Sequence, residues 1–150
     1  MIADAPAARK DPSRFAAVFD TKVAGALSLL EATKGDPLRV LVNFGSWAGR
    51  FGNAAQSDYA AANHVLSALA AQLAAARTGL RVVTIELPPC ETTVMGRSIP
   101  EPIRLAMRAE GVPFLSEAEI TDAVMAEFTS RGASESVLIG REPPPVPTSA

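Results

Sequence analysis

Arg39-Val40-Leu41-Val42-Asn43-Phe44 runs into Gly45-Ser46-Trp47-Ala48-Gly49-Arg50-Phe51-Gly52-Asn53-Ala54-Ala55-Gln56, and then into Ser57-Asp58-Tyr59-Ala60-Ala61-Ala62-Asn63. The first segment is short, β-branched and largely apolar, the pattern of a buried strand. The second holds Gly45, Gly49 and Gly52 and predicts a loop. The third opens an alanine-rich helix that extends to about Arg77, with Tyr59, Val65, Leu66, Leu69 and Leu73 along it and Thr78-Gly79 as its glycine stop. A strand, a loop and a helix in that order make the repeating unit of a parallel α/β sheet.

The flanking sequence continues the alternation. Upstream, Asp11 is a good helix cap and Pro12 is pre-set for a first turn. Phe15, Val18, Phe19, Val23, Ala26, Leu27 and Leu30 then recur at helical spacing until Gly35-Asp36-Pro37 ends the element. Downstream, Leu80 to Leu87 predicts a second strand, stopped by Pro88-Pro89. The segment 90–114 carries three more prolines and a helical patch from Ile103 to Ala109, an excursion over one end of the sheet. Ser116-Glu117-Ala118-Glu119 has the form of a capping box opening a helix to about Arg131. Ser136 to Gly140 predicts a third strand, and Pro143-Pro144-Pro145-Val146-Pro147 an extended linker or tail over 142–150. The expected class is α/β, with ligands at the carboxyl ends of the strands.

Composition narrows the function. A chain of 150 residues, 48% hydrophobic and 20% charged with net charge −2, has the makeup of one globular domain. It lacks the basic footprint of a nucleic-acid binder. Cys90 and His64 are each the sole residue of their type, too few for an internal disulfide or a zinc site. No apolar run approaches the roughly 20 residues of a membrane span, and the first residues lack a secretory pattern. The expectation is a soluble, cytoplasmic protein.

Ser46 falls at the end of the first strand, and Tyr59 and Asn63, four residues apart on one helix, share a face. Taken singly, each has an ordinary structural role: a core tyrosine, a turn serine, a solvated asparagine. Together a hydroxyl, a phenol and an amide can donate and relay a proton. A free phenol has a pKa near about 10, and an ammonium group beside it favours the phenolate. Lys22 is the lysine embedded in an apolar helix face, whereas Lys34, at a helix end, and Lys10, in a polar entry, are expected in solvent.

Phe19-Asp20-Thr21-Lys22-Val23-Ala24-Gly25-Ala26, Phe44-Gly45-Ser46 and the block from Gly52 to Asn63, with its Gln-x-x-Tyr-Ala-x-x-Asn core, resemble the ketoreductase domain of modular polyketide synthases. That domain is part of the short-chain dehydrogenase/reductase superfamily. The resemblance runs through about residues 1–141. Most of the superfamily has a lysine four residues after the tyrosine. Polyketide ketoreductases are similar but carry asparagine there and place the lysine in the preceding helix, as Asn63 and Lys22 do.

The resemblance implies the C-terminal portion of a Rossmann-like doubly wound sheet, with about three strands and flanking helices. It implies NADPH-dependent reduction of a β-ketoacyl thioester, carried on an acyl carrier protein, to the β-hydroxyacyl thioester. Tyr59 would donate the proton, Ser46 would hydrogen-bond the substrate oxygen, and Lys22 and Asn63 would tune and relay. Pro88, Pro89, Thr92 and Thr93 would flank the nicotinamide, Trp47, Gln56 and Met95 would face the substrate, and 90–114 would form the lid. Ile2-Ala3-Asp4 falls where one stereochemical type carries Leu-Asp-Asp, with Asp4 matching.

Two departures stand out. Gly45 replaces a second serine, and the family's glycine-rich dinucleotide loop does not occur in this sequence. The expectation is a catalytic half that works only with an upstream nucleotide-binding half, in cis or in trans. The competing expectations are an interaction or structural module with an exposed sheet edge, and an inactive remnant.

Overall fold

The computed structural model describes residues 4–76, 78–132 and 135–140. After a single 3-10 turn at Ala7–Arg9, the Asp11 carboxylate accepts the N–H groups of Ser13 at 2.8 Å and Arg14 at 3.2 Å. Pro12 occupies the first turn, and helix α1 runs Pro12–Ala32. It stops earlier than the glycine at position 35, because Thr33 caps it and turns its hydroxyl back onto the Leu29 carbonyl at 2.9 Å.

Strand β1 (Val40–Ser46) is followed at once by a short helix α2 (Trp47–Phe51), then α3 (Ser57–Ala76), strand β2 (Arg81–Leu87), α4 (Val94–Arg97), α5 (Glu101–Ala109), α6 (Glu117–Thr129) and strand β3 (Glu135–Leu138). The sheet has the order β1-β2-β3 with every pairing parallel. Register runs from Val40 opposite Arg81 to Ser46 opposite Leu87, so the carboxyl ends of β1 and β2 finish level.

The stretch from Gly45 to Gln56 is not the continuous loop that its glycines predict. Gly45 and Ser46 extend the ladder with β2, and residues 47–51 are helical. Gly45 fits because a Cβ there would meet the Thr84 methyl at 2.8 Å. A second serine at this position would collide with β2.

Helix α3 covers one face of the sheet and α1 packs on α3. Leu30, Ala70, Leu80 and Val82 form a buried cluster with Leu38, Leu41, Leu69 and Leu73 against it. Burying Leu30, Leu80 and Val82 contributes about 1.5–3 kcal/mol each. Val82, Val83, Thr84 and Ile85 of β2 are fully enclosed. Strand β1 is only partly buried, with Phe44 at 52% exposure. β2 is its one strand neighbour among the described residues. Leu27, expected on the apolar stripe of α1, is 48% exposed.

Helix α6 opens with the expected capping box, Ser116 and Glu119 each holding the other's backbone N–H. An ion pair from Arg81 to Glu127, 2.7 Å, fastens α6 to β2. Gly79 ends the α3–β2 turn at φ +87, a conformation that favours glycine. The proline-rich tail lies outside the described residues, as do Ile2 and Ala3 of the Ile2-Ala3-Asp4 match. Among the described residues no helix is long and apolar enough to cross a membrane.

Candidate active site

Lys22 leaves the middle of α1 toward the end of β1. Its ammonium donates to the Phe44 carbonyl at 3.0 Å and stands 5.6 Å from the centroid of the Tyr59 ring, within the range of a cation–π contact. Burial pushes the Lys22 pKa below its ordinary value, because the charged form loses water. Helical geometry sets Asn63 one turn after Tyr59, and its amide donates to the Tyr59 carbonyl at 2.7 Å. Asn63 is wholly enclosed, and its Oδ1 has no hydrogen-bond partner among the described residues. A buried amide oxygen without a donor is a point where a proton-bearing group fits.

Ser46 joins this cluster through the backbone. It lies two residues beyond Phe44, whose carbonyl holds Lys22, and its Oγ caps α2 by accepting the Ala48 N–H at 3.2 Å. Capping uses the oxygen as acceptor and leaves its O–H available to donate. Helix α2 then rests directly on α3: a Cβ on Gly49 would stand 2.9 Å from the Asn63 backbone. Lys22 thus meets the Tyr59 ring and Asn63 the Tyr59 backbone, and Ser46 is tied to them by β1 and α2.

A second charged pair lies beneath the tyrosine, and it corrects the expectation of a solvated Lys10. The Lys10 side chain is 6% exposed and bonds Asp58 Oδ1 at 2.8 Å and the Ala55 carbonyl at 2.9 Å. Asp58, whose side chain is 1% exposed, sits one residue before Tyr59 and also accepts the Tyr59 N–H. Burial works to raise the Asp58 pKa, but the Lys10 hydrogen bond and charge together with the backbone donor hold it below its ordinary value. Ala55 adopts φ +64, a left-handed conformation uncommon for alanine. Its carbonyl takes the Ala5 N–H as well as Lys10. Gln56 donates to Asp4 at 2.9 Å and accepts from Asn53 at 2.8 Å. Residues 4–10 therefore strap the loop that delivers the tyrosine.

The turn after β2 is internally tied. Thr93 Oγ1 donates to the Cys90 carbonyl and accepts the Gly96 N–H, both at 3.0 Å, while Thr92 lies 3.3 Å from the Cys90 sulfur. Pro88 is buried, and the Pro89 carbonyl accepts the Leu115 N–H. Met95 is partly buried on α4. Trp47 is 6% exposed, its indole N–H bonded to the Ile139 carbonyl at 3.0 Å and its ring edge-on to Phe51.

A parallel α/β sheet with a serine at a strand end, and a tyrosine, a lysine and an asparagine gathered beside it, defines a Rossmann-like domain of the short-chain dehydrogenase/reductase type. The chain belongs to the ketoreductase (KR) domain family, whose model matches residues 1–92. It is 52% identical over 63 residues, 42% of the chain, to polyketide synthase ThaG of Burkholderia thailandensis, of which it spans 1%. It is 31% identical over 132 residues, 88% of the chain, to a polyunsaturated fatty acid synthase component of Thraustochytrium sp., of which it spans 4%. Among solved structures, a ketoreductase domain from the bacillaene assembly line superposes with a TM-score of 0.77 at 27% identity, over 90% of this chain and 33% of that one. The chain spans a small fraction of the length of its curated relatives.

Proposed function

We propose that this chain is the catalytic portion of a ketoreductase that reduces a carrier-protein-bound β-ketoacyl thioester to the β-hydroxyacyl thioester. One observation carries the reading. Asn63 is fully buried on the turn of Tyr59, and the Lys22 ammonium stands over the same ring. That arrangement suits a phenol that loses and regains a proton.

NADPH, when bound, supplies hydride to the carbonyl carbon. The Tyr59 O–H then gives its proton to the carbonyl oxygen as the C=O becomes an alcohol, and the Ser46 O–H holds that oxygen. The Lys22 ammonium stabilises the phenolate left behind. The unpartnered Asn63 Oδ1 accepts a hydrogen bond from the group that returns the proton. The chain's residues fit the reacting end of such a cofactor, near the carboxyl ends of β1 and β2, with the 88–93 turn as its flank. They do not supply a glycine cradle for its phosphates. The nucleotide-binding half is accordingly a partner, in cis or in trans.

The half-exposed Phe44 on the outer side of the sheet, with Leu27 and Leu29 on α1, favours the same division. These apolar groups suit a strand and helix from that half. The test joins the chain to a ketoreductase nucleotide-binding half and follows NADPH oxidation with a β-ketoacyl thioester. Tyr59→Phe is expected to lower the rate by about a hundredfold or more. An unchanged rate would remove the assignment.

A further inference from the structure

Glu86 is the acidic residue of β2, near the carboxyl end of a largely buried strand. Its neighbours Val82, Val83, Thr84 and Ile85 are fully enclosed, and its own side chain is 4% exposed. One carboxylate oxygen accepts Arg50 Nε at 2.5 Å and the other accepts Ser67 Oγ at 2.9 Å. Arg50 belongs to α2, the helix that Ser46 caps. Ser67 lies on α3 one turn beyond Asn63, whose carbonyl its hydroxyl also approaches at 3.4 Å. In the sheet register Glu86 sits directly opposite Gly45, the residue before Ser46. One buried carboxylate therefore touches the helix that the serine caps and the helix that carries the tyrosine and asparagine.

Only the carboxylate of this pair is buried, at 4% exposure, while the Arg50 side chain is 40% exposed, so desolvation of Glu86 offsets much of the attraction and the pair is a poor source of net stability. What the buried carboxylate does impose is a fixed arrangement, since Glu86 must keep its donors or stand uncompensated. We infer that Arg50, Glu86 and Ser67 form a positioning cluster that sets the placement of α2, and with it Ser46, against the Tyr59 helix. The inference rests on the ketoreductase reading for its effect on turnover, though not for its effect on structure.

The chain has a single tryptophan, Trp47, on α2 three residues before Arg50, so its fluorescence reports how that helix is seated, including its contact with Ile139. The decisive variant is the double change Arg50→Met with Glu86→Met, in which the buried carboxylate and its part-exposed partner leave together and the fold is expected to persist. In the 150-residue chain, its urea midpoint should match or exceed wild type, yet acrylamide should quench Trp47 at least about twofold more readily. Joined to a nucleotide-binding half, the variant should lose about tenfold to a hundredfold in kcat with KM little changed, the range expected for a misplaced catalytic group. Arg50→Lys, which keeps the charge, should recover part of both.

Wild-type quenching and wild-type kcat in a folded double variant would overturn the inference. A kcat loss that only follows a lost urea midpoint would do the same. Tyr59→Phe run alongside separates the two readings. If it leaves turnover intact the ketoreductase assignment fails, while Trp47 quenching still decides the role of the cluster.

Discussion

Lys22 holds its charge where water is scarce, and that has a pH signature. Its folded pKa is lowered by burial. Below that folded value the ammonium is present in both states and its desolvation counts in full against folding. As pH rises from the folded value toward the unfolded one, near about 10.4, the unfolded chain holds more protons and the folded state gains. Relative to Lys22→Met, the wild-type chain should therefore improve in urea midpoint as pH rises through the folded value toward about pH 10. A constant difference would mean that Lys22 is not desolvated.

Asp58 has the opposite sign. Its folded pKa is depressed, with Lys10 as its charged partner, so its contribution is present above about pH 3.9 and is lost as pH falls through the folded value. Asp58→Asn should weaken the chain at about pH 6 and flatten the loss of stability between there and about pH 3, read by urea unfolding. These residues are unequally legible. Lys22 stands out as a charge on an apolar stripe. Asp58 reads as an ordinary acid in a first helical turn, and its partner is 48 positions away, a pairing that local pattern cannot reveal.

Elements follow the same division between local and distant causes. The caps at Asp11 and Ser116 and the glycine at position 79 act within a few residues, so α1, α3 and α6 begin or end near where sequence places them. Helix α2 reads as loop because five residues are too few to display a period. It exists because Ser46 caps it and because Gly49 lets it lie on α3. That close approach is testable. Gly49→Ala would put a methyl 2.9 Å from the Asn63 backbone, which a main chain cannot avoid by rotating a side chain. Overpacking of this kind costs about 1–3 kcal/mol. The variant should show that loss in urea unfolding, together with increased Trp47 quenching as α2 lifts. Gly25→Ala, where a Cβ meets nothing within 4 Å in the middle of α1, is the control. It should be neutral or gain up to about 1 kcal/mol from helix propensity.

At the scale of the whole molecule, β1 has the pattern of a buried strand, yet among the described residues it is a sheet edge, as the expectation of an exposed edge had it. Its composition is that of a strand covered on both sides, and composition cannot say whether the covering lies within the chain. Phe44 at 52% exposure, with Leu27 at 48% and Leu29 at 52%, records the mismatch. An edge strand with open N–H and C=O groups next to exposed apolar side chains recruits other chains, whereas a scattered surface leucine does not. The isolated chain should therefore elute from size exclusion above its 15.6 kDa monomer mass, with an apparent mass that rises with concentration. Phe44→Lys places a charge on that edge, the device natural sheets use against pairing. It should shift the chain toward monomer while lowering its unfolding free energy by no more than about 0.5 kcal/mol. A nucleotide-binding half added in trans should protect wild-type β1 amides from hydrogen exchange and suppress the same association. If wild type is a concentration-independent monomer, or Phe44→Lys associates as wild type does, the edge of β1 is not the surface through which this chain meets another.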